Sequence, residues 1–270
     1  MTVSRSAREA AAGATDRLAG LFARVGGDRD AFTPRDVLTM WPKVMTSLRS
    51  IREPDPSTVT LDGSDDGTAS VSMISAARLR DAARSIAPRL PIRDRPTLER
   101  HLHVSDTEPM ADVLVRNAAS ATAVAGSVGG VLVITSKTGP LMLAAIPLRV
   151  AAETLVVAMI ELKLIGELHE VYGKPLAGTT VQRGTTALRL WASHRGFEIE
   201  DAGGIVGTLS QMARRPTTRR AAAAVTGKAL GRKGIRIGAG IAGAVENRKT
   251  TYTLSEQVRA ELRRRQIGPT

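Results

Sequence analysis

The sequence of 270 residues contains no cysteine. It has few aromatic residues: two tryptophans, two tyrosines and three phenylalanines. Without cysteine, the chain cannot form disulfide scaffolds, thiolate zinc sites, iron–sulfur clusters or a cysteine nucleophile. So few aromatic side chains do not provide a stacking platform for single-stranded nucleic acid. The four histidines also leave little material for an imidazole-bound metal. We therefore expect neither a metal nor a cofactor.

Motifs that carry a reaction are also missing: there is no nucleophile elbow, phosphate loop or paired-carboxylate arrangement. Positions 238–243 match GxGxxG, but a dinucleotide site needs a strand before the motif and an acid ending a second strand about 20 residues later. The residues that follow predict an arginine-rich helix instead. His101 and His103 predict a polar loop, and His169 lacks the second histidine of a zinc helix. We expect a protein that is not an enzyme, and an enzyme with an unrecognised site is the second alternative.

Positive charge is concentrated towards the C terminus. Positions 212–270 hold 14 lysines and arginines against 3 acids, whereas positions 1–211 hold 24 against 23, so +11 of the net +12 lies in this basic C-terminal third. Such asymmetry indicates an anionic partner, either nucleic acid or an anionic membrane face, although a solvated arginine-rich surface has the same composition. The candidate anion-binding residues lie within 23 positions that contain no acid: Arg214, Arg215, Arg219, Arg220, Lys228, Arg232, Lys233 and Arg236.

The hydrophobic pattern predicts an all-α helical bundle, because no period-2 alternation of useful length is present. Positions 1–52 predict an N-terminal helical arm. Positions 53–69 are rich in proline, aspartate, glycine and serine and predict a flexible linker. Positions 70–270 predict the main helical domain, which includes most of the apolar residues.

Positions 117–172 predict a long apolar helical hairpin. The first arm starts with 20 uncharged residues at 117–136, although five of them are serine or threonine, and the second arm covers 141–172. A helix of 20 residues is about 30 Å long, enough for the hydrocarbon core of a bilayer. The hairpin therefore spans a membrane, is embedded in one leaflet, or packs in a protein core. Small residues at helical spacing predict close helix–helix contacts. The small residues concerned are Gly126, Gly130, Gly234 and Gly238.

Charged residues interrupt the second arm. Spacings of three and four place one stripe along this helix, made of Arg149, Glu153, Val156, Ile160, Lys163, Glu167 and Glu170. A charge at the bilayer centre costs about 2.5–3.5 kcal/mol, so we expect the stripe to contact another helix, water or headgroups, with Lys163 and Glu167 as an i, i+4 pair. Glu161 lies off the stripe among apolar residues, which indicates a proton or ligand contact or, as the favoured interpretation, a buried ion pair with an arginine of another helix.

Three segments resemble a known family: RNAASATAVAG at 116–126, AAETLVVAMIELKLIGELHEVYG at 151–173 and GRKGIRIGAGIAGAVENRK at 231–249. An apolar Ala/Gly segment, a helix ending in Tyr-Gly and a Gly-rich segment ending near an asparagine follow one another in this order. The order resembles the EcsC family of bacterial proteins over roughly residues 110–260. The resemblance implies a helical, membrane-associated protein without a defined chemical activity.

We therefore expect a non-enzymatic, bacterial, membrane-associated helical protein in a regulatory or scaffolding role. Its N-terminal residues lack the apolar core of a secretory signal, so we expect it on the cytoplasmic side of the cell membrane and not secreted. The expected partners are an anionic membrane surface, membrane proteins or a second copy of the chain. A nucleic-acid-binding accessory protein that uses the basic C-terminal third is the alternative, disfavoured because no helix-turn-helix is evident.

Overall fold

The computed structural model describes residues 5–24, 32–51, 82, 85–135, 146–195 and 232–267. These residues form seven bounded α-helices and one 3-10 turn and contain no strand, so the predicted all-α class is confirmed for the described part of the chain. The elements are α1 (Arg5–Arg24), α2 (Pro34–Ile51), the 3-10 turn (Ala87–Arg89), α3 (Arg95–Leu102), α4 (Thr107–Thr135), α5 (Ile146–Val171), α6 (Thr180–His194) and α7 (Arg232–Ile267).

Helix α5 forms the centre of the bundle. Every residue from Thr154 to Tyr172 is buried, and the helix is surrounded by α2, α4, α6 and α7. A helix that buries all of its faces is a core helix, whereas a surface helix keeps a polar face in water. The charged side chains of α5 must therefore find partners inside the protein, because an unpaired buried charge is strongly destabilising.

Helices α4 and α7 form an antiparallel pair that makes the most extensive helix–helix contact of the described residues. The hydroxyls of Thr122 and Thr251 are 3.0 Å apart, and Glu108 at the start of α4 lies 2.5 Å from Arg263 near the end of α7. Helix α5 runs parallel to α7, because Glu153 accepts a hydrogen bond from Asn247 and Tyr172 contacts the C-terminal half of α7.

These directions place three helix termini together. We call this the distal end of the bundle: α4 ends there at Thr135, α5 begins there at Ile146 and α7 begins there at Arg232. The opposite, proximal end holds the start of α4 and the end of α5. With a rise of about 1.5 Å per residue, the 36 residues of α7 extend over roughly 54 Å. Helix α7 thus reaches from one end of the bundle to the other.

The N-terminal helices belong to the same core as the C-terminal ones. Leu18 and Phe22 of α1 and Trp41 of α2 are buried in one continuous cluster with α4 and α5, and α2 contacts both of these helices. Phe22 and Phe32 pack edge to face with ring centroids 6.4 Å apart. The described residues of α1 and α2 are therefore docked in the bundle, because their apolar side chains are buried there. The predicted division into 1–52, 53–69 and 70–270 stays a prediction. The predicted linker, 53–69, lies outside the described residues.

Turn chemistry determines where α3 and α6 begin. The side chain of Asp94 accepts a hydrogen bond from the backbone of Thr97 at the start of α3. Thr179 and Gln182 form a capping box at the start of α6, in which each side chain bonds the backbone of the other. These caps satisfy backbone donors that the first helical turn leaves without an intrahelical partner.

Within the residues that the structure describes, no helix is long and apolar enough to cross a membrane. The arms of the predicted hairpin correspond to the C-terminal part of α4 and to α5, which contact each other. Residues 136–145, which join these arms, lie outside the described residues.

Candidate functional site

Glu161 is the most enclosed charged group of the central helix, with none of its surface exposed. Its carboxylate accepts hydrogen bonds from Trp191 Nε1 at 2.8 Å and from Thr251 Oγ1 at 3.0 Å. It also forms an ion pair with Arg195, which follows α6 directly. The structure thus places Glu161 in contact with an arginine beside another helix. Three donors from two elements occupy the carboxylate and fix α6 and α7 against α5.

A second buried group joins α5 to the segment before α3. Arg93 donates two hydrogen bonds to the Glu167 carboxylate, from Nε at 2.7 Å and from Nη2 at 3.2 Å. Lys163 lies 2.7 Å from the same carboxylate and also donates to the carbonyl of Pro91. Burial lowers the pKa of Lys163. Burial alone would raise the pKa of Glu167, but the charges of Lys163 and Arg93 outweigh it and lower that pKa, so Glu167 is ionised at neutral pH.

The predicted charged stripe therefore faces several neighbours in turn. Lys163 and Glu167 face the 91–93 segment, Glu170 pairs with Arg183 of α6, and Glu153 accepts a hydrogen bond from Asn247 of α7 at 2.8 Å. Arg149 belongs to the first turn of α5, but its side chain lies outside the described part, so its pairing with Glu153 stays a prediction.

The proximal end holds a cluster that joins α4, α5 and α7. Tyr172 donates to Glu108 at 2.9 Å and accepts from Arg259 at 3.1 Å. Arg259 and Arg263 both bond Glu108, and Arg259 also lies 2.8 Å from Asp112. The hydrogen bond from Arg263, supported by those from Arg259 and Tyr172, lowers the pKa of Glu108 to about 2. These contacts hold the start of α4, the end of α5 and the C-terminal part of α7 together at the proximal end.

Close helix packing occurs at one of the predicted glycines. A Cβ at Gly126 would lie 2.4 Å from the carbonyl oxygen of Gly243, so α4 and α7 cross there almost in backbone contact. The predicted partners Gly130, Gly234 and Gly238 belong to α4 and α7, and the described contacts do not include them. Gly243 is the residue that meets Gly126.

The predicted anion-binding residues divide into two groups. Five of them lie outside the described residues: Arg214, Arg215, Arg219, Arg220 and Lys228. The remaining three occupy the first two turns of α7, at the distal end: Arg232, Lys233 and Arg236.

The described residues contain no group of three or more histidine, aspartate or glutamate side chains that could hold a metal ion. A cavity of about 10 Å³ lies beside Lys163 and Glu167 and is also lined by Phe32 and Leu114. Such a cavity has room for a single water molecule and is too small for a substrate. Each of the buried charged residues Glu161, Lys163, Glu167 and Glu170 of α5 contacts a partner from another part of the bundle.

Sequence reasoning identified the charges of α5 but missed their partners. Arg93, Trp191 and Arg195 are separated in sequence from the carboxylates that they contact, and no motif marks them. Asn247 and Thr251 lie in or just after the Gly-rich segment of the family resemblance. Their spacing of four residues along α7 is the signal that could have indicated polar positions on one packed face.

Comparison with protein-family models, with curated proteins and with solved structures finds no significant match to this chain.

Proposed function

We propose that this chain is a non-enzymatic, membrane-associated helical protein that binds an anionic, cytoplasmic-side membrane surface with its distal end. This function is supported by the composition of the three helix ends that meet at the distal end, which are apolar or basic. Positions 128–135 of α4 read VGGVLVIT and positions 146–151 of α5 read IPLRVA. Positions 232–237 of α7 read RKGIRI. Apolar residues flanked by cations are the composition that membrane interfaces attract.

The register of α7 adds a second argument. Counting from the Thr122–Thr251 contact, Thr135 at the end of α4 is level with about position 238 of α7. Lys233 and Arg236 precede buried Thr251 and Leu254 by 18 residues, which is five full helical turns. Positions 233 and 236 therefore lie beyond the end of α4, in helical register with the residues of α7 that pack against the bundle, and the proposal places headgroup phosphates next to them.

The apolar hairpin fits this proposal as a shallow insertion. The charges of α5 between Glu153 and Glu170 are held by protein partners and lie away from the distal end. Only the distal turns of α4 and α5 would enter the headgroup region. An insertion of this depth keeps the buried ion pairs inside the protein, where they avoid the cost of charge in hydrocarbon.

Kinship with the EcsC family is part of the same proposal, supported by the three segments that resemble it. Two of these segments, 116–126 and 231–249, contain Gly126 and Gly243, which meet in the bundle. The chain would have a regulatory or scaffolding role, in which membrane proteins or a second copy of the chain bind it next to the membrane.

Sedimentation with vesicles tests the proposed function. The full chain should sediment with vesicles that contain an anionic phospholipid, much less with neutral phosphatidylcholine vesicles, and less again at high salt. Replacing Arg232, Lys233 and Arg236 by glutamine should weaken binding roughly a hundredfold, because each cation near an anionic leaflet contributes about 1 kcal/mol.

The matched control replaces two arginines and one lysine of the proximal end, Arg100, Lys174 and Arg264, by glutamine. Both triple variants remove three charges, but only the distal one removes them from the proposed contact. Equal weakening by both variants would show that net charge acts alone, which contradicts a distal binding site. Indifference to vesicle charge together with tight binding to duplex DNA would favour the nucleic-acid alternative.

A further inference from the structure

Helix α6 is fastened to the bundle through charged groups at both of its ends. Near its start, Arg183 forms an ion pair with Glu170 of α5. At its end, Trp191 and Arg195 both donate to Glu161 of α5. The seating of α6 therefore depends on the charge states of groups between it and its neighbours, and not on apolar contact alone.

The connection between α5 and α6 contains two turning points. Gly173 has a φ of +68° and Gly178 a φ of +98°, a left-handed region that glycine enters without steric cost. Leu176, between them, is buried and its carbonyl accepts a hydrogen bond from Arg183. Gly178 lies directly before the capping box of α6. Rotation at Gly178 would therefore move α6 as one unit while Leu176 stays in the core, and it would break the hydrogen bond from Arg183 to the Leu176 carbonyl.

Helix α6 is seated closely against the 3-10 turn. A Cβ at Gly184 would lie 2.0 Å from the carbonyl oxygen of Ala87 and 2.9 Å from Pro88 Cα. The backbone of the 3-10 turn thus fills the space where a side chain at Gly184 would lie. A side chain at Gly184 would force α6 away from the turn without changing any charge.

Two histidines lie where α5, α6 and α7 meet. His169 of α5 is 8% exposed, and its Nδ1 is 3.0 Å from the carbonyl oxygen of Lys174; since a carbonyl only accepts, Nδ1 carries the proton. His194 of α6 lies 3.3 Å from Glu261 of α7 through Nε2. Glu261 is shared, because Arg265 of α7 also pairs with it.

We propose that α6 is an acid-released strap: protonation of His169 and His194 detaches it from α5 by rotation at Gly178 and uncovers the side of α5 around Glu161. Protonation places two positive charges at a junction that already contains Arg265. In the part of the chain that the structure describes, Glu261 is the carboxylate whose charge acts on both histidines, and Arg265 already pairs with it. One carboxylate does not balance three cations. This inference stands independently of the membrane proposal.

The pKa directions agree with this geometry. Burial lowers the pKa of His169 and of His194, and the attraction of Glu261 offsets this only in part. Because the seated form has lower histidine pKa values than a released, solvated form, it binds fewer protons. Seating is therefore fully favoured above about pH 6.5, the free imidazole value. It is lost as the pH falls through the lowered histidine pKa values.

Glu170 acts in the opposite direction. Burial raises its pKa, assisted by Asp94 and opposed by Arg183 and a backbone hydrogen bond from Arg95. Protonation of Glu170 thus favours the seated form as the pH falls. Acid therefore releases α6 only if protonation of the two histidines destabilises the seated form more than protonation of Glu170 stabilises it.

Tryptophan fluorescence tests the strap directly. The chain has two tryptophans, Trp191 on α6 and Trp41 on α2, and both are buried. In a Trp41→Phe variant, acrylamide quenching of Trp191 should rise several-fold between about pH 7.5 and about pH 5, where histidine titrates. In the reciprocal Trp191→Phe variant, quenching of Trp41 should stay unchanged, because α2 does not move.

Substitutions distinguish the effect of protonating these two histidines from a general effect of acid on the fold. In the Trp41→Phe background, His169→Asn together with His194→Gln keeps neutral hydrogen-bonding groups and should abolish the rise. His103→Asn is the matched control, because His103 is exposed and lies before α4, and it should leave the rise intact. The residue has a φ of +54°, which asparagine tolerates. Gly184→Val should give high quenching of Trp191 already at neutral pH.

Hydrogen exchange on the unmodified chain keeps the test independent of how well these variants fold. After correction for the intrinsic pH dependence of exchange, amides of 180–194 should lose protection in mild acid while those of α4 and α7 keep it. Simultaneous loss in all three helices would mean global loosening and would overturn the strap. The strap is also overturned if Trp191 stays protected from quenching in acid, or if the double-histidine variant still responds to acid.

Discussion

Replacing Glu161 by alanine should lower the free energy of unfolding by about 3–5 kcal/mol, which is a large part of the stability of an ordinary domain. The carboxylate has no exposed surface and accepts from Trp191, Thr251 and Arg195. Its removal leaves a guanidinium that is only 11% exposed without its anionic partner. Urea unfolding followed by circular dichroism measures the loss.

Asp16→Ala is the control for this substitution. It breaks the ion pair between Asp16 and Arg89, whose N···O distance is 2.9 Å but whose side chains are 65% and 50% exposed. Water screens that pair, so its loss should cost less than about 1 kcal/mol. A Glu161→Ala variant as stable as Asp16→Ala would contradict a buried ion pair at Glu161.

Replacing Gly126 by alanine should cost about 3 kcal/mol, the upper end of what an overpacked core residue costs. The added Cβ would lie 2.4 Å from the carbonyl oxygen of Gly243 and 2.7 Å from Nδ2 of Asn247. The first neighbour is backbone and cannot rotate away. Helices α4 and α7 must therefore separate at the crossing, which also disturbs the hydrogen bond from Asn247 to Glu153.

The same substitution at Gly13 is the matched control. A Cβ there meets no atom within 4 Å, and alanine is favoured over glycine inside a helix by about 0.5–1 kcal/mol. Gly13→Ala should therefore raise the midpoint of urea unfolding while Gly126→Ala lowers it. If both variants shift the midpoint in the same direction, close contact between α4 and α7 is absent.

The sequence allowed the helical class and the problem posed by α5 to be predicted. Lys163 and Glu167 recur at a helical spacing, and their desolvation cost requires partners whatever the fold is. Glu161 stood out because its neighbours along the helix are apolar. The predictions for Lys163, Glu167 and Glu161 depend on one helix alone, which is why local periodicity was sufficient.

The partners could not be predicted, because they depend on how distant segments pack. Arg93 is 74 residues from Glu167 and Thr251 is 90 residues from Glu161. The contact of α1 and α2 with the core could not be predicted from their own residues either. The composition of 53–69 indicates a linker, but whether the helices before it dock depends on the core surface that α4 and α5 offer. Glycine lowers the helix propensity of α7, but Gly243 is favoured there because it permits the close approach to α4.

Labels at two points of α7 test lipid contact at the distal end most directly. Since the chain has no cysteine, Ile237→Cys and Gln257→Cys each provide a single thiol for a fluorophore. The two positions are 20 residues apart, roughly 30 Å along the helix. Position 237 belongs to the distal end, whereas Gln257 is exposed towards the proximal end. On anionic vesicles that contain nitroxide-labelled lipid, the label at 237 should be quenched and the label at 257 should emit as in solution. Quenching at 257 instead, or equal quenching at both positions, would contradict attachment through the distal end.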